Sequence, residues 1–457
     1  MPEAAATVIL RLGSHSEKEY VEKTIKQFDG VMVGANLLQA TPGATATLLF
    51  KLNKQAGRPY YVDPMTYAFG SYVDPETGRV RSDLDWIKSD KKVKGQKGKF
   101  VRDFKSSYAK LADSFGLPYS TAVNRSRAVE PADFNSDQLV EDSCRRVLSF
   151  QADLLRNVFT QDPVTAAFAN EFPSPPALLA PYFYIEQSRM ADWIALNKRL
   201  ALASTAVRSD IPIHVVVCGH RDLLSNAAHA GTIIDGLKEC KPAGVWLWFS
   251  RFDEHGASPQ ELRALRTWVE ELSGQMPVYN MHGSYFSLAL SKLGMAGIAH
   301  GVGYGEQKDV VPVIGQSTPT VQYYVRALHA KFSVPQITRC FTALGITTPD
   351  QFFKIICDCV ICKNIIAKDF NAFSQFGEIH YSRPSAKRAS QTPAAAKRCR
   401  FHFLLNRSKE RDYVRSNTLR TIADNCNTAA DQWRRTILAQ SIGHLRDWAE
   451  ILSLGNP

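Results

Sequence analysis

The 457-residue sequence predicts an α/β protein built on a (β/α)8 TIM-type barrel, with a basic insertion and a metal-binding subdomain. Three observations predict this. Short β-branched runs alternate with helix-length stretches from Thr7 to about Asp309, the pattern of parallel strands with crossover helices. Polar residues follow most of those runs, at the end of the barrel where functional groups gather. Three cysteines fall within six residues at Cys357, Cys359 and Cys362, close enough to surround one metal ion.

The strands expected in order are Thr7–Leu12, Gly30–Gly34, Pro59–Val62, Tyr182–Ile185, Ile213–Cys218, Gly244–Phe249, Val278–Met281 and Gly297–His300. The helices between them are Ser16–Gln27, Ala44–Gln55, Ser188–Thr205, Ala227–Glu239, Ser258–Leu272 and Tyr285–Leu293. Between Phe69 and Ala180 the alternation stops. The chain there is charged, then helical around Ser136–Asn157, then proline-rich. Residues 1–68 and 181–330 are therefore assigned to the barrel, and 69–180 to an insertion within it. Residues 331–415 form the metal-binding subdomain, and 416–457 read as carboxyl-terminal helices. Trp246 and Trp248 lie two apart on one strand and share a face. The expectation for them is packing between strand and helix.

The cysteine cluster calls for a fourth ligand. His402 opens an amphipathic helical segment, which holds a ligand more rigidly than a loop does; His380 and Cys399 are the alternatives. A closed Cys₃His shell leaves no place for substrate, so the expected cofactor is a structural zinc ion. The other cysteines are scattered, and the total of nine is odd. That usage suits a reducing compartment rather than a disulfide framework. No apolar run approaches the roughly 18 residues of a membrane span. The sequence passes from Met1–Ala6 straight into the first strand, so a soluble, cytoplasmic protein with no membrane partner is expected.

Net charge is +11, which favours polyanionic partners, chiefly nucleic acid. The charge is clustered. From Lys88 to Lys105 there are seven lysines and one arginine against two aspartates. Within that run Lys91, Lys92, Lys94, Lys97 and Lys99 are the expected phosphate contacts. A second basic zone runs from Arg383 to Arg411.

Reading the strand ends gives the candidate mouth of the barrel. Asp63, Glu186, Cys218, Gly219, Arg251, Asp253, His282 and His300 all follow or end a strand. Tyr67, Phe69 and Tyr304 are aromatics near the mouth that could sandwich a flat base.

Four segments, in order, resemble the tRNA-guanine transglycosylases, and in particular their DNA-acting relatives that insert 7-deazaguanines. They are Gly34 to Gly43, Arg58-Pro59-Tyr-Tyr-Val-Asp63, Glu186 to Leu202, and Cys357-x-Cys359-x-x-Cys362 with His402-Phe-x-x-x-Arg407. The zinc motif is the specific part. Two departures stand out. Pro64-Met-Thr-Tyr-Ala-Phe69 replaces the family's Ser-Gly-Gly-Phe-Gln, and no aspartate follows the last barrel strand.

The resemblance implies exchange of guanine for a 7-deazaguanine base in DNA, or in tRNA, through a covalent glycosyl–enzyme intermediate. A carboxylate attacks C1′ and a second manages the base proton. It implies that Asp63 acts on the base or its proton and that Glu186 belongs to the acidic loop. Asp253 comes first as nucleophile and Glu306 second. The alternative is an inactive barrel that binds nucleic acid within a modification complex. A homodimer or a modification-complex partner completes the expected associations.

Overall fold

The structure is a computed structural model that describes residues 6–73, 80–82, 91–92, 100–101, 106–125, 127–303, 306–310, 320–381 and 389–455. Lys94, Lys97, Lys99 and Tyr304, and the side chains of Lys91 and Lys92, lie outside the described residues.

Eight parallel strands form the barrel: β1 (Thr7–Leu12), β2 (Gly30–Gly34), β3 (Tyr60–Asp63), β4 (Leu178–Leu179), β5 (Ile213–His220), β6 (Gly244–Ser250), β7 (Val278–Asn280) and β8 (Met295–Gly301). They pair in the order β3-β2-β1-β8-β7-β6-β5-β4, so the ring closes between β8 and β1. The junction of β3 with β4 lacks a ladder, and side chains bridge it instead. Thr66 Oγ1 donates to the Tyr182 carbonyl at 2.7 Å and accepts from Tyr182 N at 2.8 Å.

Period-two alternation sorts the strand residues into two layers. Ile9, Met32, Tyr61, Leu179, Val216, Cys218, Trp246, Trp248, Met281 and Ala299 fill the barrel interior. Val8, Leu10, Val31, Val33, Val215, Val217, Val245 and Leu247 face the helices. The two tryptophans thus lie inside the barrel, not between strand and helix as expected, because Val245 and Leu247 take the outward positions. Trp246 stacks on Tyr279 with centroids 4.5 Å apart.

The helices around this core are α1 (Lys18–Lys23), α2 (Pro42–Ala56), α3 (Asp137–Gln161), α4 (Met190–Val207), α5 (Ala227–Cys240), α6 (Pro259–Ser273), α7 (Tyr285–Ala289) and α8 (Pro393–Ser416). Local chemistry sets their starts. Ser258 and Glu261 form a reciprocal capping box on α6, and Thr392 caps α8 with Pro393 in its first turn.

Three expectations change. The fourth strand is Leu178–Leu179 rather than Tyr182–Ile185. The ladder with β5 ends at Ala180 N, which donates to the His214 carbonyl, because the next N–H in register, that of Tyr182, turns to Thr66 Oγ1; Ile185 retains only an isolated bridge to Gly219. The helix expected inside the insertion, α3, belongs to the barrel. Gln151 of α3 pairs with the open edge of β4, its amide donating to the Leu179 carbonyl at 2.7 Å and accepting from Leu179 N at 2.8 Å. Finally, α8 of the metal-binding subdomain packs in the position of the eighth barrel helix. Arg415 Nη2 donates to the Ala6 carbonyl at 2.8 Å, and Phe403 meets His300 of β8 with ring centroids 5.2 Å apart. Among the described residues no helix is long and apolar enough to cross a membrane.

Candidate active site and metal centre

Arg11 and Asp63 are inward-facing residues at the carboxyl ends of β1 and β3. Asp63 is completely buried, and both of its oxygens are engaged. Arg11 Nη2 donates to Oδ2 at 2.9 Å; Met65 N and the Tyr182 hydroxyl donate to Oδ1 at 3.0 and 2.8 Å. Burial, reinforced by the Asp63 charge, drives the Tyr182 phenol far above its ordinary range, so it stays a proton donor. Met65 has a left-handed backbone, φ 54°. Its sulfur and Asn36 Oδ1 each lie 2.7 Å from where a Cβ on Gly34 would stand, so the glycine leaves room for both side chains.

Beside this pair opens a cleft of about 380 Å³, lined by Arg11, Leu12, Gly13, Glu17, Gly34, Asn36, Met65, Tyr108, His282, Gly301, Val302 and Lys308. Lys308 crosses one side. Its ammonium donates to the Tyr67 hydroxyl at 2.9 Å and sits 5.2 Å from the Trp248 ring centroid. The Lys308 carbonyl accepts from Trp248 Nε1 at 2.7 Å. Tyr67 stacks on Tyr182, so this side of the mouth is filled with aromatic side chains. The cleft combines hydrogen-bond donors, an amide and a carboxylate, the few convergent polar groups of a small-molecule pocket.

The strand-end residues expected at one mouth are distributed over several places. Asp63 and Tyr67 lie next to the cleft and His282 lines it. Cys218 is buried in the interior below. Phe69 leaves the mouth altogether and packs edge-on against Phe115 and Tyr119. Gly219 is a packing glycine, since an added Cβ would collide with Leu223 at 2.1 Å. His300 faces outward because its neighbour Ala299 faces inward. Burial and the nearby Arg407 push its imidazole down to about 4. Arg251 takes a left-handed backbone with its N–H on Asp309 Oδ1 at 2.6 Å, away from the cleft lining. Glu186 is buried and accepts from Trp193 Nε1 at 3.2 Å.

Asp253 and Glu306 line a different cleft, of about 440 Å³, together with His255, Lys331 and His444. His255 Nδ1 meets Asp253 Oδ1 at 3.3 Å and its Nε2 meets the His329 carbonyl at 2.8 Å. Burial would lower this histidine, but its acceptors and the Glu306 charge raise it. The expected nucleophile candidates therefore do not share a cleft with Asp63. Arg11, Glu17, Tyr182 and Lys308 are the mouth residues that strand-end reading misses. A basic residue within the apolar run Val8-Ile-Leu-Arg11-Leu12 is the one signal that pointed to any of them.

The metal centre assembles as expected. The donor atoms of Cys357, Cys359, Cys362 and His402 all lie within 4.8 Å of one another, and all four residues are buried. The thiols stand 3.7, 3.4 and 3.4 Å from His402 Nδ1. A tetrahedral zinc, with Zn–S near 2.3 Å and Zn–N near 2.0 Å, separates sulfur from nitrogen by roughly 3.5 Å. The donor set fits such an ion. Cys359 caps the helix Val360–Ile366 by accepting from Cys362 N, which places both thiols at one helix end. His402 Nε2 meets the Tyr324 carbonyl at 2.7 Å, fixing the tautomer that leaves Nδ1 facing the thiols. The ring of Tyr323 stacks on His402 at 4.0 Å. Of the alternative ligands, His380 is exposed and Cys399 donates to the Phe376 carbonyl at 3.3 Å.

The helix carrying His402 also braces the cleft. On α8, Lys397 Nζ meets Glu19 Oε1 at 2.5 Å, Arg400 donates to the Tyr20 hydroxyl at 3.4 Å, and Phe401 packs on Tyr20 at 4.9 Å. Glu19 and Tyr20 belong to α1, which begins one residue after Glu17.

No protein-family model matches this chain, and no curated protein matches it.

Proposed function

We propose that the protein exchanges guanine for a 7-deazaguanine base in DNA, with tRNA as the second candidate substrate, and that the mouth cleft receives the base. The observation that carries this reading is the Arg11–Asp63 pair beside a cleft with polar groups of both signs, in a barrel whose eighth helix carries the histidine of the Cys₃His group. Among the carboxylates expected to act, Asp63 is the one next to that cleft. In this reading it attacks C1′ and forms the glycosyl–enzyme bond. Arg11 holds the charge of Asp63 until the sugar arrives. A base in a duplex must leave the stack to enter such a cleft.

The metal in this reading is zinc, since three thiolates and one imidazole suit its softness and tetrahedral preference. With four protein donors it supports α8 and, through α8, the wall of the cleft. The expected partners are nucleic acid, the incoming base and, through the basic insertion, backbone phosphates.

The experiment is incorporation of labelled guanine into duplex DNA, single-stranded DNA and tRNA by purified protein. Label retained in one nucleic acid, and a denaturation-resistant protein–nucleic acid adduct lost in Asp63→Asn, support the reading. Binding with neither label nor adduct favours the second reading, a barrel that holds nucleic acid without exchanging bases. The saturation of both Asp63 oxygens is the observation in its favour.

A further inference from the structure

Base exchange needs two carboxyl groups, one for C1′ and one for the proton of the base. Asp63 supplies the first. Glu186 is bonded to Trp193, and Asp253 and Glu306 line the other cleft. Among the described residues that line the mouth cleft, Glu17 is the one carboxylate. It closes the single 3₁₀ turn His15–Glu17 that follows β1, and its Oε2 accepts from Gly13 N at 2.7 Å. Cleft residues Arg11, Leu12 and Gly13 precede it on the same segment, and Asn36 lies on the short helix Ala35–Ala40 that follows β2.

We infer that Glu17 carries the base's proton during exchange, an inference that rests on the base-exchange reading of the cleft. As the bond between C1′ and the base nitrogen breaks, its electron pair goes to the base. Asp63 forms the new bond to C1′, and the Glu17 carboxyl proton passes to the departing nitrogen. In the return half, the nitrogen of the incoming base displaces Asp63 from C1′ and its N–H proton returns to Glu17. Both carboxyl groups end as they began, so no further reactant is required.

The environment of Glu17 suits a group that alternates between acid and base. Burial raises its carboxyl above the ordinary glutamate value, outweighing the N–H groups of Gly13 and Ser14 and the Arg400 guanidinium that lower it. Arg400 comes from α8, so the metal-bearing helix also helps to set the charge at this position.

The bland role for Glu17 is to cap the turn by accepting from Gly13 N. Glutamine accepts that bond equally well but cannot exchange a proton, so Glu17→Gln separates the two roles. The assay is guanine exchange by the full-length, metal-loaded protein across pH, with zinc content and melting temperature measured in parallel. The expected result is a loss in kcat of roughly 10²-fold or more, with KM and nucleic-acid affinity held within about threefold. The pH limb assigned to a carboxyl group should vanish in Glu17→Gln and return, shifted, in Glu17→Asp. Exchange by Glu17→Gln near the wild-type rate with an unchanged pH profile overturns the inference and leaves base exchange standing. A loss accompanied by a fall in melting temperature or zinc content shows the capping role and also overturns it. A wild-type protein that exchanges no base overturns both.

Discussion

Arg11 and Asp63 form an ion pair across the barrel mouth, with 2.9 Å between Nη2 and Oδ2, from strands separated by β2. The Asp63 side chain is fully buried and that of Arg11 is 13% exposed. The pair therefore has two roles that can be separated: it holds β1 to β3, and it sets the charge next to the cleft.

Removing one member leaves the other buried without a counter-charge. Asp63→Asn should cost about 3 kcal/mol of stability. Adding Arg11→Met should recover most of that loss, while guanine exchange stays absent in both variants. Urea denaturation of the single and double variants checks the first statement, and an exchange assay the second. A single variant as stable as wild type would show that the pair contributes little to the fold.

Elemental analysis should find one zinc per chain. His402→Ala should lose it, whereas His380→Ala and Cys399→Ser should keep it, because neither of those side chains reaches the thiol cluster. Stripping the metal should loosen α8 and with it α1. Hydrogen exchange should then rise in Lys18–Lys23 as well as in Val360–Ile366. Exchange confined to the cysteine loop would contradict the bracing of the cleft by α8.

Glu306 gives a specific acid-stability expectation. Burial would raise its carboxyl, but Lys331, Arg407 and His255 overcome this and bring it from 4.5 down to about 2. A depressed carboxyl stabilises the fold fully above its unfolded value. That stabilisation is lost as pH falls from about 4.5 through about 2. Wild type should therefore lose stability across this window more steeply than Glu306→Gln, as read by denaturation at fixed pH values. Parallel curves for the two proteins would remove Glu306 from the account.

Charge reversal at Lys91, Lys92, Lys94, Lys97 and Lys99 should weaken nucleic-acid binding alike for all sequences. If each contacts one phosphate, the slope of log affinity against log salt should flatten by roughly 4 to 5. An unchanged slope would make the run a solvated loop.

The sequence by itself determined what depends on near neighbours. Seven of the eight strands are found close to their expected bounds, because alternation and β-branching act over a few residues. The metal ligands are found at the expected residues, because a C-x-C-x-x-C run needs only one helix cap to bring its thiols together. What needed the tertiary structure was direction and partnership. Whether a strand-end residue faces the axis depends on its parity, so Asp63 enters the mouth while His300 turns to Phe403. Tyr182 N turns to Thr66 rather than to β5, which ends the fourth strand at Leu178–Leu179, and only the folded chain shows Thr66 and Gln151 replacing the missing ladder. The eighth helix comes from about ninety residues beyond β8, a distance that local pattern does not encode. Glu17 has no motif at all; the closure of β1 against β8 and the packing of α8 on α1 are what make it a wall of the cleft.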